Sequence, residues 1–141
     1  MGATAIEKII RRNTGKTEVK PGDIVTVNVD RVMIHDIFIP FVADKFEEMG
    51  FTRLWDADKV VLIYDHLVPA SQVDDTRHFR VGDAFAEKYG LTHVHRSDGI
   101  CHQLMTEAGY VKPGDVVFGT DSHTTTYGCV GAFSSGIGYT E

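Results

Sequence analysis

The 141 residues predict an α/β domain with a largely parallel sheet and flanking helices. Three features carry that reading. Val60-Val61-Leu62-Ile63-Tyr64 is an unbroken apolar run bounded by polar residues, the pattern of a strand buried on both faces. Short β-branched runs alternate along the chain with segments of helical period, and that alternation favours parallel strands joined by helices. Asp and His residues recur directly after the apolar runs, where α/β sheets keep their ligand sites.

Taken in order, Thr4 stands three residues before Glu7, a capping-box spacing, and Ile6, Ile9 and Ile10 follow at helical period, so a helix is expected up to Gly15. Pro21-Gly22-Asp23 reads as a turn that launches a β-branched strand over Ile24 to Val29, closed by Asp30. From Pro40, the positions Phe41, Val42, Phe46 and Met49 return to a helical period that Gly50 stops. Val60 to Tyr64 is the buried strand. Phe79, Phe85, Ala86 and Tyr89 suit a helix ending at Gly90, although Gly82 weakens its first half. Thr92 to His95 reads as a short strand, Ile100 to Glu107 as a helix, and Pro113-Gly114-Asp115 as a turn into the strand Val116-Val117-Phe118. Two Pro-Gly-Asp turns are too short a match to argue an internal repeat. The glycine-rich stretch Gly128 to Gly138 reads as a tightly packed helix or a loop, or as backbone amides open to an anion at a helix start. It does not form a dinucleotide fingerprint, because no G-x-G-x-x-G directly follows a strand.

Residues 1–141 are expected to form one domain, and a chain of this size buries roughly two-thirds of its unfolded surface, enough for a core without staples. The formal net charge of −6 argues against a nucleic-acid backbone and against an anionic membrane as partner. Two cysteines, Cys101 and Cys129, do not make a disulfide scaffold or a C-x-x-C motif, which suits a reducing compartment. With no apolar run near the roughly 20 residues that span a bilayer and no signal core, a cytoplasmic setting is expected.

The chemistry lies in the Asp and His residues. The strand Val60 to Tyr64 ends in Asp65-His66, the last strand leads into Asp121-Ser122-His123, and His35-Asp36 and His102 fall in connecting segments. Adjacent Asp and His side chains point apart on extended backbone, so each pair requires a turn at a strand end, where exposure is available. Histidine titrates near neutrality, and a carboxylate on one ring nitrogen fixes the tautomer and raises basicity, so Asp65-His66 is a candidate acid or base. His78, His93 and His95 read as solvated residues. An alternative for the set is a stand-alone module holding a dicarboxylate or a divalent metal without turnover, with His66, His102, Asp121 and His123 as ligands.

Gly119-Thr120-Asp121-Ser122-His123-Thr124, with Tyr127-Gly128 and the stretch Gly131 to Gly138, resembles the aconitase superfamily. The likeness is greatest to its 3-isopropylmalate dehydratase large-subunit branch, with homoaconitase and 2,3-dimethylmalate dehydratase relatives. Asp65-His66-Leu67-Val68-Pro69 resembles the Asp-His motif of that family, and Gly99-Ile100-Cys101-His102-Gln103 its Gly-Ile-x-His-Gln motif. The resemblance covers the whole chain, as the N-terminal part, roughly the first third, of such a subunit. It implies a hydro-lyase that removes and re-adds water on a hydroxy-di- or tricarboxylic acid, with 3-isopropylmalate and 2-isopropylmalate of leucine biosynthesis foremost, using a [4Fe-4S] cluster with one open iron. It further implies that His66, supported by Asp65, protonates the departing hydroxyl. His102 and His123 would position substrate and iron-bound water, Asp121 and Ser122 would belong to the surrounding network, and His35 would face the substrate. The family's three cluster cysteines, in Gly-Ser-Cys-Thr-Asn and C-x-x-C motifs, are expected beyond Glu141, so no metal ligand and no tightly bound cofactor is expected in this chain alone. The serine base is expected on a swivelling domain, often a separate small subunit, and the segment alone is expected to be inactive. Tyr139 and Glu141 depart from the smaller residue and the Asp of the family pattern.

Overall fold

The computed structural model describes residues 2–138; Tyr139 and Glu141 lie outside them. Helix α1 (Ala5–Thr14) opens on the expected capping box, with the Thr4 N–H donating to Glu7 Oε2 (2.7 Å) and the Glu7 N–H to Thr4 Oγ1 (3.2 Å). It closes at Gly15 with φ 70°, a left-handed conformation in which glycine carries no Cβ penalty. The elements β1 (Arg31–His35), α2 (Ile39–Glu48), β2 (Val60–Tyr64), α3 (Asp75–Tyr89) and β3 (His93–Arg96) then alternate. Helix α4 (Cys101–Glu107), β4 (Val116–Gly119), a 3-10 helix (Ser122–Val130) and β5 (Phe133–Gly136) complete the order. The sheet runs β3-β2-β1-β4-β5 and every neighbouring pair is parallel, as the alternating pattern implied.

Side-chain alternation along the strands divides the core into two layers. Ile34, Leu62 and Tyr64 meet Ile39 of α2 and Phe85 of α3 on one face, while Met33, Val61, Ile63 and Val117 meet Cys101 and Met105 of α4 on the other. Val61, Leu62 and Ile63 are wholly buried, each contributing about 1.5–3 kcal/mol relative to exposure. Helix α3 runs unbroken through Gly82. A Cβ there would lie 2.4 Å from the hydroxyl of the buried Tyr64, so the missing side chain is what lets α3 lie close against β2.

Two expectations are corrected. Ile24 to Val29 forms no ladder with the sheet, and Ile24 is 98% exposed; the first strand is Arg31–His35. β-Branched residues favour extended backbone, but a strand also needs a partner, and pairing begins only at Asp30. Its N–H donates to the Val116 carbonyl (2.8 Å) and its carboxylate accepts the Val116 N–H (2.8 Å), so Asp30 opens the strand instead of closing one. The second correction concerns Gly128 to Gly138. Gly131, at φ 82°, ends the 3-10 helix, and Phe133–Gly136 runs as a parallel edge strand on β4.

The two Pro-Gly-Asp turns are the same local device. In each, the N–H of the lysine before proline donates to the aspartate carboxylate at 2.8 Å (Lys20 to Asp23, Lys112 to Asp115). The aspartate N–H returns to the lysine carbonyl at 3.1 Å in both.

Candidate active site

Strand order reverses direction between β1 and β4, the position at which open parallel sheets leave a crevice beyond their carboxyl ends. His35 and Asp36 close β1, Asp65 and His66 follow β2, and Asp121 follows β4 after Thr120. Three strands therefore deliver their polar ends to one place. The Thr120 N–H donates to the Met33 carbonyl (3.1 Å) and the Asp36 N–H to that of Ile63 (3.1 Å), extending the ladders into the site.

The first group is a histidine between carboxylates. Asp65 Oδ1 lies 2.6 Å from His66 Nδ1, and because an ionised carboxylate only accepts, Nδ1–H is the donor and Nε2 is left for a ligand. Asp65 Oδ2 accepts the Cys101 N–H at 2.7 Å. Helix α4 starts after Ile100, which has no capping side chain, so Asp65 caps it from the neighbouring segment and is itself fixed by that contact. The His66 side chain is 32% exposed. Below it, the wholly buried Asp36 accepts the N–H groups of Ile37 (3.0 Å), His66 (3.1 Å) and Leu67 (2.8 Å). Burial pushes the Asp36 carboxyl up, but His35 and the Leu67 and His66 N–H groups outweigh it and hold the group below its ordinary value. His35 stacks on His66 with ring centres 4.1 Å apart and planes 19° apart. It is 1% exposed, and neither of its ring nitrogens has a hydrogen-bond partner; the nearest carboxylate contact, Nδ1 to Asp36 Oδ1, is 3.8 Å.

The second group surrounds Asp121. Its Oδ1 accepts the His123 N–H (2.6 Å) and lies 3.1 Å from both His102 Nε2 and His123 Nδ1. Burial raises the Asp121 carboxyl, yet the His123 N–H and the two rings bring it below the usual range. In the neutral His102 ring, Nε2–H therefore donates to Asp121 and Nδ1 accepts from the Tyr127 hydroxyl at 3.2 Å. Burial raises the Tyr127 hydroxyl's pKa and keeps it a donor. His123 is 81% exposed and Ser122 is exposed beside it. Nitrogen and oxygen donor atoms of His35, His66 and Asp121 all lie within 4.8 Å of one another, which joins the two groups.

A depression of about 320 Å³, lined by Phe38, Thr120, Asp121, Ser122 and Gly136 among others, opens beside Asp121. It has room for a small acid. A larger one, about 560 Å³, lies between Phe46, Phe51, Leu54 and Trp55 at the far end of α2, and Arg53 is its one ionisable side chain. It has no acid–base chemistry to offer. At the Asp121 site binding space and the Asp–His groups coincide; a third depression, about 230 Å³ and lined by Asp30, Arg31, Asp58 and Lys59 among others, lies at the opposite, amino ends of the strands.

The donor set does not suit an iron–sulfur cluster, whose irons take cysteine thiolates. Burial and the Asp65 carboxylate push the Cys101 thiol up, and Cys129 is exposed, outside each of the close donor clusters. A single divalent ion between His35 and His66 is also poorly served. Imidazole lone pairs lie in the ring plane, and two planes 19° apart and 4.1 Å apart do not converge on one ion at about 2.1 Å.

All seven site residues singled out from the sequence come together here: His35, Asp65, His66, His102, Asp121, Ser122 and His123. His35 is the last residue of β1 and His102 sits in the first turn of α4, each inside an element and not in a connection. Asp36 and Tyr127 were not singled out. The pairing His35-Asp36 at a strand end was a signal for the first; Tyr127 stood within the family resemblance, but nothing local tied it to His102. The three histidines read as solvated are bonded instead: His78 Nδ1 contacts the Asp36 carbonyl (3.0 Å), and Tyr110 joins His93 and His95, two residues of β3 itself, at 3.3 and 2.7 Å. Among the described residues no helix is long and apolar enough to cross a membrane.

A parallel sheet with helices on both faces and a cluster of Asp and His residues at its switch point defines an α/β protein with a candidate ligand site beyond its strand ends. The chain belongs to the aconitase family: the model of the aconitase family (aconitate hydratase) matches residues 7–141. It is 44% identical over 142 residues to 3-isopropylmalate dehydratase large subunit 1 of Methanopyrus kandleri, covering 100% of this chain and 34% of that protein. It is 42% identical to a probable 3-isopropylmalate dehydratase large subunit of Methanothermobacter thermautotrophicus, with the same coverage, and 40% identical to a 3-isopropylmalate dehydratase large subunit of Methanoregula boonei. The chain thus spans about a third of the length of the curated relatives it matches.

Proposed function

We propose that these residues are the amino-terminal part of a hydro-lyase large subunit that dehydrates and rehydrates a hydroxy-diacid, 3-isopropylmalate foremost, working with a small swivelling subunit. The 2.6 Å contact between Asp65 and His66, with Asp65 anchored on the Cys101 N–H, is the observation that carries this reading. Loss of water from a hydroxy acid needs one group to take a proton from carbon and another to give a proton to the leaving hydroxyl. His66, held at Nδ1 by Asp65, supplies the second proton from Nε2 of its doubly protonated ring and returns to the Nδ1–H tautomer; the base is expected outside these residues. Asp121 orients both His102 and the exposed His123: His102, with both ring nitrogens engaged, keeps Asp121 in place, His123 leaves Nε2 open toward the substrate, and the partnerless, buried His35 offers a ring nitrogen to the same ligand. The family's cluster would be held by cysteines outside this segment, so the segment alone is inactive. A cytoplasmic setting in leucine biosynthesis accompanies the reading.

The test is to supply 3-isopropylmalate to the anaerobically purified complex containing this segment and follow the ultraviolet absorbance of the alkene product. Alkene formation by the complex, and none by the 141-residue chain alone, is expected. No alkene from the complex with this or any related hydroxy-diacid would refute the proposal.

A further inference from the structure

We propose that Asp36 is a positioning residue for the proton donor: its buried carboxylate, delivered by β1, holds the turn after β2 and thereby sets the His66 ring. The functional half of this inference rests on the hydro-lyase reading above.

Asp65 and His66 are consecutive, and on extended backbone their side chains would point to opposite sides of the sheet. Their 2.6 Å contact therefore needs the chain to turn sharply after Tyr64. A turn at that depth exposes backbone N–H groups that β2 no longer pairs, and each of them requires an acceptor. Asp36 is that acceptor. One carboxylate takes the His66 N–H at 3.1 Å and the Leu67 N–H at 2.8 Å, together with its own neighbour's, Ile37, at 3.0 Å. Charge-assisted bonds of this kind are stronger than neutral ones, and all three converge where no water competes, since Asp36 is wholly buried. The backbone of Asp36 is fixed in turn, its N–H on the Ile63 carbonyl and its carbonyl on His78 Nδ1 of α3.

A capping role alone would place the carboxylate anywhere within reach of the turn. Here Asp36 Oδ1 also lies 3.6 Å from His66 Nδ1 and 3.8 Å from His35 Nδ1, beneath the stacked pair. Asp36 thus supports the ring whose Nδ1–H Asp65 engages, and its negative charge favours that proton staying on Nδ1. Asparagine would keep the volume but has one acceptor oxygen, so its NH₂ group faces the Ile37 N–H or those of His66 and Leu67, and the negative charge beside the His66 ring is lost.

The test reads the 141-residue chain by nuclear magnetic resonance, where no turnover is needed. In the unsubstituted chain, a coupling across the hydrogen bond from the Leu67 nitrogen to the Asp36 carboxylate carbon is expected, with His66 as a single Nδ1–H tautomer. In Asp36→Asn, which removes the charge beside the ring, His66 becomes a mixture of tautomers, while amide exchange protection of Val61 to Ile63 persists. If Asp36→Asn does not fold, an ester link between His66 and Leu67, which deletes only the Leu67 N–H, is expected to give the same mixture. A single unchanged tautomer in the folded variant, or absence of the coupling in the unsubstituted chain, overturns the proposal. In the assembled complex, Asp36→Asn is expected to lower kcat by about tenfold to a hundredfold with KM within about twofold. A clamp seen by resonance in a complex without turnover would refute the hydro-lyase reading and leave the clamp; normal kcat in Asp36→Asn refutes the positioning role.

Discussion

Gly136 is the smallest change through which the Asp121 site can be disturbed without touching any of its polar groups. It ends β5 and pairs with Gly119 at the end of β4, and the turn that carries Asp121 folds back over this glycine pair. A Cβ at Gly136 would lie 2.3 Å from the Asp121 carbonyl oxygen, 2.8 Å from its carbon and 2.9 Å from Ser122 Cα. These are backbone atoms and cannot rotate aside. To bring the oxygen out to about 3.0 Å, the turn must retreat by about 0.7 Å. If the carboxylate follows, the 3.1 Å contact from His102 Nε2 to Asp121 Oδ1 stretches to about 3.8 Å, beyond hydrogen-bond range. Overpacking of this kind costs about 1–3 kcal/mol and the lost bond about 1 kcal/mol, so Gly136→Ala is expected to destabilise by about 2–4 kcal/mol. That corresponds to a fall in Tm of roughly 6–15 °C for a chain of this size. Gly128→Ala is the control, because a Cβ there meets nothing within 4 Å. Urea unfolding of both variants measures the difference, and His102 ring resonances show whether Asp121 has moved. A Gly136→Ala chain as stable as Gly128→Ala, with unshifted His102 resonances, would refute the argument.

Gly82→Ala is expected to destabilise by about 1–3 kcal/mol through the Tyr64 hydroxyl 2.4 Å from the new Cβ, and Tyr64→Phe, which deletes that oxygen, should recover part of the loss in a double-mutant cycle. Strict additivity in urea unfolding would contradict it. Stability should also fall in acid. Asp36 and Asp121 are held below their ordinary pKa in the fold, so their contribution is full above the unfolded value of about 3.9 and is lost as pH drops through the lower folded values. Urea midpoints at pH 6 and pH 3 should differ, and Asp121→Asn should narrow the gap; equal midpoints would count against it.

Much of the fold is legible in the residues themselves, and the exceptions share a cause. Val60 to Tyr64 is apolar on both faces because both faces are covered, so its pattern and its environment agree. The capping box at Thr4 and the left-handed Gly15 and Gly90 are local signals, and they mark the observed helix ends. Ile24 to Val29 misleads because β-branching reports extended backbone, whereas strand pairing depends on a partner far along the chain, Val116. Phe133–Gly136 escapes notice for the opposite reason: Gly136 is demanded by the turn packed on it, a tertiary requirement that no local propensity records. The site follows the same division. The Asp–His pairs are visible as neighbours in sequence, whereas Asp36 under His66 and Tyr127 on His102 depend on contacts 30 and 25 residues apart.

His66, oriented by Asp65, is proposed to give its Nε2 proton to the departing hydroxyl. The measurement that tests it is kcat for dehydration of 3-isopropylmalate by the anaerobically purified complex, compared between His66 and His66→Ala at equal bound iron. A fall of at least about a hundredfold is expected, the usual size of a general-acid contribution. A near-normal kcat in His66→Ala would remove His66 from the chemistry and contradict the claim.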